Sequence, residues 1–89
     1  MTKAELVSDV ARKTGFTKKE VGRVISTTME VLREAFERKE KVELRGFGVF
    51  EVKRRKARMG RNPRTKDAVK IPARWVLVFK PSKIIKEIL

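Results

Sequence analysis

Residues 54–66, RRKARMGRNPRTK, restrict the fold more than any other stretch of this chain. They carry seven arginines and lysines and no acid. Apart from the Pro63 ring, their only apolar side chains are Ala57 and Met59. No core can be built on such a segment, so the remaining residues must supply one. The chain has only 89 residues, enough for a single domain. A domain of this size buries roughly 60% of its unfolded surface and is marginal alone. With no cysteine and no histidine, neither a disulfide nor a Cys/His metal site can brace it. A second copy of the chain is the simplest remaining support, and an obligate dimer is expected.

The residues before the basic segment read as a helical hairpin. Thr2-Lys3-Ala4-Glu5 and Thr17-Lys18-Lys19-Glu20 both have the T-x-x-E form of a capping box. Leu6, Val7, Val10 and Ala11 give the first helix an apolar side, and Gly15 suits a left-handed cap at its end. Val21, Val24, Ile25, Thr28, Leu32, Ala35 and Phe36 keep one face through the second helix. Glu34 and Arg38 are spaced as a favourable i,i+4 pair.

The hydrophobic period then changes from 3.6 to two. Lys41–Arg45 alternates as a half-buried strand, Gly46-Phe47-Gly48 turns, and Val49–Lys53 resumes with Phe50 and Val52 on one side. After the basic segment Val69–Ile71 leads to Pro72, which marks an edge or a bulge. Trp75–Phe79 is apolar on both faces, so cover is expected from both sides. A last short helix is expected from Pro81, with Ile84, Ile85, Ile88 and Leu89 inward. The plan is α+β: a helical hairpin base, a three-stranded antiparallel sheet with a protruding β-ribbon arm, and a short C-terminal helix. It forms one domain over residues 1–89. Within it, residues 1–40 are the helical dimerisation region, residues 41–80 the sheet and arm, and residues 81–89 the C-terminal helix.

Residues 53–70 form the arm. Neither face can lie on a core, and an isolated two-stranded ribbon is marginal in water. Facing like charges weaken it further. The arm is expected to be flexible when free and ordered along a polyanion. Net charge is +13, divided as +2 over residues 1–51 (11 basic, 9 acidic) and +11 over 52–89 (13 basic, 2 acidic). Charge concentrated in this way points to nucleic acid or an anionic surface. Asn62-Pro63 suits the arm's tip. Pro63 can be a turn former alone, or a rigid apolar wedge between base pairs.

Several stretches together resemble one family. They are Gly46-Phe47-Gly48-Val49-Phe50, the run Arg55 to Thr65 containing Gly60-Arg61-Asn62-Pro63, Ile71-Pro72-Ala73-Arg74, and Phe79-Lys80-Pro81-Ser82-Lys83. The combination resembles the HU/integration host factor family of bacterial histone-like, DNA-bending proteins, from Thr2 to the C-terminus. The resemblance implies an intertwined homodimer, or a heterodimer with a related chain, in which a helical base carries a saddle-shaped sheet and two β-arms wrap the minor groove of double-stranded DNA. It implies intercalation by Pro63 and DNA contacts from Lys3, Lys53, Arg55, Arg58, Arg61, Lys80, Lys83 and Lys86, with Asn62 supporting the tip or reaching the groove; Arg64 and Arg74 are expected to bind DNA with them. It also implies DNA condensation in a cytoplasmic nucleoid, largely independent of sequence. The integration-host-factor branch, with sequence preference, and RNA binding are the alternatives. The chain departs from the family at Lys66, where glycine usually follows the tip threonine, at Arg64, where glutamine or lysine is common, and at Leu77, where HU proteins usually carry proline.

Phe47, Phe50 and Phe79 are read from the alternation and the GFGxF context as core and dimer residues. Trp75 is either packed beneath the saddle or partly exposed near DNA. No enzyme is expected, for want of histidine, cysteine or convergent carboxylates in the basic region. No cofactor or metal is expected. No apolar run approaches the ~20 residues of a membrane span, and no signal-peptide core is present at the N-terminus. A membrane-surface role would need a basic amphipathic helix, whereas the excess charge here lies on strands.

Overall fold

A computed structural model describes residues 1–89. The elements, in chain order, are α1 (Lys3–Thr14), α2 (Lys18–Glu37), β1 (Val42–Leu44), β2 (Gly48–Arg55), β3 (Arg58–Arg61), β4 (Ala68–Ile71), β5 (Arg74–Pro81) and α3 (Lys83–Glu87). Two compact units are present, Met1–Glu34 and Ala35–Leu89.

The first unit is the expected helical hairpin. The Thr2 hydroxyl accepts from the Glu5 amide at 3.2 Å, and the Thr17 hydroxyl accepts from the Glu20 amide at 3.1 Å. Each satisfies one of the free amides that every helix start leaves. Gly15 ends α1 in the left-handed region at φ 80°, and its amide reaches the Ala11 carbonyl. Ala11 and Val21 are buried. Val24, expected on the same face, is 64% exposed, on the rim of an apolar cleft of about 330 Å3 that includes Val10, Phe16 and Ile25.

In the second unit two antiparallel sheets follow one another along a continuous hairpin. The three-stranded sheet has the order β1-β2-β5, and β3 and β4 form a separate two-stranded ribbon. Phe50 lies opposite Phe79, with ring centroids 4.8 Å apart. Phe36 meets Phe50 at 5.8 Å and Phe47 meets Phe79 at 5.5 Å, so four rings make a chain of contacts on one face of the sheet. Gly48 explains why this turn needs glycine. A Cβ there would lie 2.6 Å from both the Lys80 carbonyl and the Phe79 ring.

Four expectations need correction. Pro81 closes β5 and does not open α3; Ser82 is the cap, because its hydroxyl can accept from the Ile85 amide and a proline side chain cannot. Ile84, Ile88 and Leu89 are exposed and do not face a core within one chain. Arg38 pairs with Glu40 at 2.8 Å instead of with Glu34, since α2 ends at Glu37 and the helical spacing no longer holds. The Trp75–Phe79 strand is likewise not covered on both sides within one chain: Leu77 is 51% exposed.

Candidate nucleic-acid interface

The register of β2 against β5 sorts the basic residues by face. Side chains alternate along a strand, and directly paired residues share a side. Phe50, Val52 and Arg54 therefore lie with Phe79, Leu77 and Trp75. Val49, Glu51, Lys53 and Arg55 lie on the other side with Lys80, Val78, Val76 and Arg74. Four of the expected DNA contacts, Lys53, Arg55, Arg74 and Lys80, thus share one face, away from the aromatic rings. Trp75 is on the ring side, the face opposite those cations, and is 49% exposed there.

Glu43, which lies opposite Val49, is one of two acids on the basic face; the other is Glu51. The Glu51 carboxylate accepts from the Lys80 ammonium at 3.0 Å. That hydrogen bond holds the Glu51 carboxyl below its usual range and raises the Lys80 ammonium above its own.

The ribbon leaves the sheet at a paired break. Lys56-Ala57 on one strand faces Pro72-Ala73 on the other, so neither strand gains a residue and the register is kept. Proline has no amide for a ladder, which accounts for the break on its side. Arg55, Lys56, Arg58 and Arg74 surround a concavity of about 550 Å3 at this joint. Beyond it Arg58 pairs with Ile71, Met59 with Lys70, Gly60 with Val69 and Arg61 with Ala68. Arg58 and Arg61 therefore lie on opposite faces of the ribbon. Ile71 crosses Gly60 so closely that a Cβ on Gly60 would lie 2.6 Å from the Ile71 Cδ1.

The tip is a compact polar turn. The Asn62 side chain accepts from the Arg64 amide at 2.9 Å, its carbonyl accepts from the Lys66 amide at 2.7 Å, and its own amide donates to the Asp67 carbonyl at 2.9 Å. Lys66 sits at φ 61°, in the left-handed region that glycine occupies without penalty. Pro63 stands exposed beside these bonds, and Arg64 is exposed next to it.

Lys80 lies near the end of β5, and Lys83 and Lys86 are exposed on α3. Ser82 ties this helix to the Gly46–Gly48 turn. Its hydroxyl donates to the Gly46 carbonyl at 3.0 Å, and its amide donates to the Phe47 carbonyl at 2.9 Å. Sequence reasoning gave Ser82 no role, although a serine directly after proline and before a helical run is a cap signal. Lys3 lies in the first unit, where its ammonium donates to the Ser26 hydroxyl at 2.7 Å. No group of residues suited to holding a metal ion is present, and no helix is long and apolar enough to cross a membrane.

A helical hairpin, a three-stranded sheet with one basic face and a cationic ribbon define the class: an α+β protein with an extended basic arm. The family model for bacterial DNA-binding proteins matches residues 1–89, and the chain belongs to that family. It is 48% identical over 87 residues to DNA-binding protein HU of Clostridium pasteurianum, covering 98% of this chain and 96% of that one. It is 44% identical over 89 residues to integration host factor subunit alpha of Myxococcus xanthus, covering all of this chain and 69% of the relative. Among solved structures, a chain of the Anabaena HU–DNA cocrystal is similar with a TM-score of 0.86 and 45% identity, covering 98% of this chain and 95% of that one.

Proposed function

We propose that this chain is an architectural, histone-like protein of double-stranded DNA, working as a dimer whose two arms lie in the minor groove. One observation carries this reading. The strand register gathers Lys53, Arg55, Arg74 and Lys80 on one sheet face and extends that face into a ribbon with arginines on both sides. A groove with a wall of phosphates on each side suits a ribbon charged on both faces. The similarity to a chain crystallised with DNA supports the same reading.

Within it, Lys53, Arg55, Arg74 and Lys80 hold the backbone over the sheet, and Arg58, Arg61 and Arg64 hold it along the arm. Lys3, Lys83 and Lys86 extend the phosphate track. Asn62 fixes the tip, and Pro63 wedges between base pairs and localises a kink. The dimer is supported by the open apolar surface of a single chain, where Phe47 is 49% exposed although it belongs to the ring cluster. The partner on that surface is a second copy of this chain or a related family chain. The place of work is the bacterial nucleoid in the cytoplasm, where the protein compacts DNA without chemistry of its own.

Salt titration of duplex binding tests the proposal. If about eight phosphates are neutralised, log K falls with log salt at a slope near −7. A slope shallower than about −2 contradicts the footprint. Duplex RNA offered in competition separates this reading from RNA binding.

A further inference from the structure

Lys39 occupies a position that does not suit it. It lies just past the end of α2 at φ 60°, the left-handed region where a Cβ is crowded. Its amide donates to the Phe36 carbonyl at 3.0 Å, and the next amide, of Glu40, donates to the Ala35 carbonyl at 2.9 Å. These two bonds define the helix-ending turn in which glycine is the favoured residue. The gain from lysine lies at the other end of its side chain, where the ammonium also donates to the Glu37 carbonyl at 3.2 Å and so is held at the end of α2. Lys39 Nζ is 5.2 Å from the centre of the Trp75 ring. The guanidinium carbon of Arg54 is 5.5 Å from the same ring. Both distances are within the reach of the attraction between a cation and an indole face.

The location gives this cluster a task. Arg54 and Trp75 face each other at the second-to-last pair of the β2–β5 ladder, and Arg55 and Arg74 form the last pair. The strands break immediately beyond it, where the ribbon begins. Arg54 and Trp75 lie on the ring side of the sheet, away from Lys53, Arg55, Arg74 and Lys80. Trp75 is 49% exposed, so burial alone does not hold it.

We propose that Lys39, Trp75 and Arg54 form a strap that fixes the root of the ribbon to the end of α2, and that Trp75 and Lys39 are positioning residues for DNA bending. They touch no DNA. They set the direction in which the arm leaves the sheet, by holding the last ladder pairs from behind while Arg55 and Arg74 meet the phosphates in front. The inference rests on the reading of the ribbon as a DNA-holding arm, but its first test needs no DNA.

Lys39→Gly separates the strap from ordinary local stability. Glycine relieves the left-handed backbone, so a lysine with no distal role would leave the root equally or better ordered after the change. The strap predicts the opposite. Amide exchange at Lys53, Arg54, Arg55 and Val76 in the free protein should speed up about two- to five-fold. In a Trp75→Leu background the same change should add nothing, because the ring it acts through is gone. Equal or slower exchange in Lys39→Gly, or the same acceleration in both backgrounds, overturns the strap. On duplex DNA, energy transfer between the ends should report a smaller bend for Lys39→Gly, with the salt slope of the parent protein. An unchanged bend overturns the positioning role. A slope lowered by about one unit means that Lys39 contacts a phosphate directly, and overturns it also. If the parent protein binds no duplex, the proposed function fails, while the exchange measurement still decides the strap.

Discussion

The three-stranded sheet and the ribbon are both antiparallel, and both come from the same stretch of chain, yet they are held in different ways. β2 and β5 pair over eight residues each, with Phe50 tilted against Phe79, Phe36 against Phe50 and Phe47 against Phe79. β3 and β4 pair over four residues each, with Ile71 lying close across Gly60. The first sheet has a reason to stay together in water. The second has backbone hydrogen bonds, a polar tip, and a surplus of like charge. Backbone ladders alone leave a short ribbon marginal, so the ribbon is expected to become firm when it lies along a polyanion.

The comparison breaks most directly through hydrogen exchange. Ribbon amides at Met59, Gly60 and Val69 should exchange through openings that cost close to nothing, and β2 amides at Phe50 and Val52 only through near-global unfolding. Similar protection in both, without DNA, contradicts the distinction. The next largest effect belongs to Phe79→Ala. It removes the ring shared by Phe47 and Phe50, and in a dimer that covers it the loss should be about 3–5 kcal/mol by denaturant titration. A loss under about 1 kcal/mol contradicts burial of the ring in the dimer. Gly48→Ala should be smaller, about 1–3 kcal/mol, since the added methyl meets backbone as well as a ring. The same change at Gly60 is opposed mainly by the flexible end of Ile71, so it should destabilise less.

The smallest effect concerns Glu51 and Lys80. The Glu51 carboxyl is lowered from 4.5 by its hydrogen bond to Lys80. A depressed acid contributes stability that is present above its unfolded value and is lost as pH falls through its folded value. Lys80 is raised from 10.5, so its share is present below that value and is lost as pH rises through the folded one. Glu51→Gln should flatten both limbs of a stability profile, below about pH 4.5 and above about pH 10.5, by lowering the plateau between them by the small contribution of an exposed pair. Unchanged limbs would show that the pair does not form in solution.

What could be read from the sequence was local. Thr2, Thr17 and Gly15 act within four residues of themselves, so their roles follow from spacing. The change of period after α2, and the tip at Asn62-Pro63, are local in the same sense. Features that depend on register could not be read. That Arg58 and Arg61 take opposite faces of the ribbon, and that Trp75 lies behind the basic face, follow only from which residue pairs with which. Ser82 acts on Gly46, 36 positions away, and spacing along the chain carries no trace of that bond. Lys39 is similar: its backbone ends a helix, and its side chain serves a strand far along the sequence. The inward face expected for α3 failed for another reason: periodicity shows that residues share a face, but not whether that face is covered within one chain.

The central claim is that the ribbon bends DNA through its tip, with charge supplying affinity and Pro63 supplying the kink. Smooth bending of a short site costs about 1–6 kcal/mol, and a wedge lowers that by opening one stacked step. Energy transfer between the ends of a duplex, measured for the parent protein and for Pro63→Ala at saturating protein and fixed salt, tests this directly. The account predicts a clearly smaller bend for Pro63→Ala, loss of any preference for nicked duplex, and the salt slope of the parent, because no charge has been removed. The same bend in both proteins contradicts the wedge and leaves Pro63 as a turn residue only.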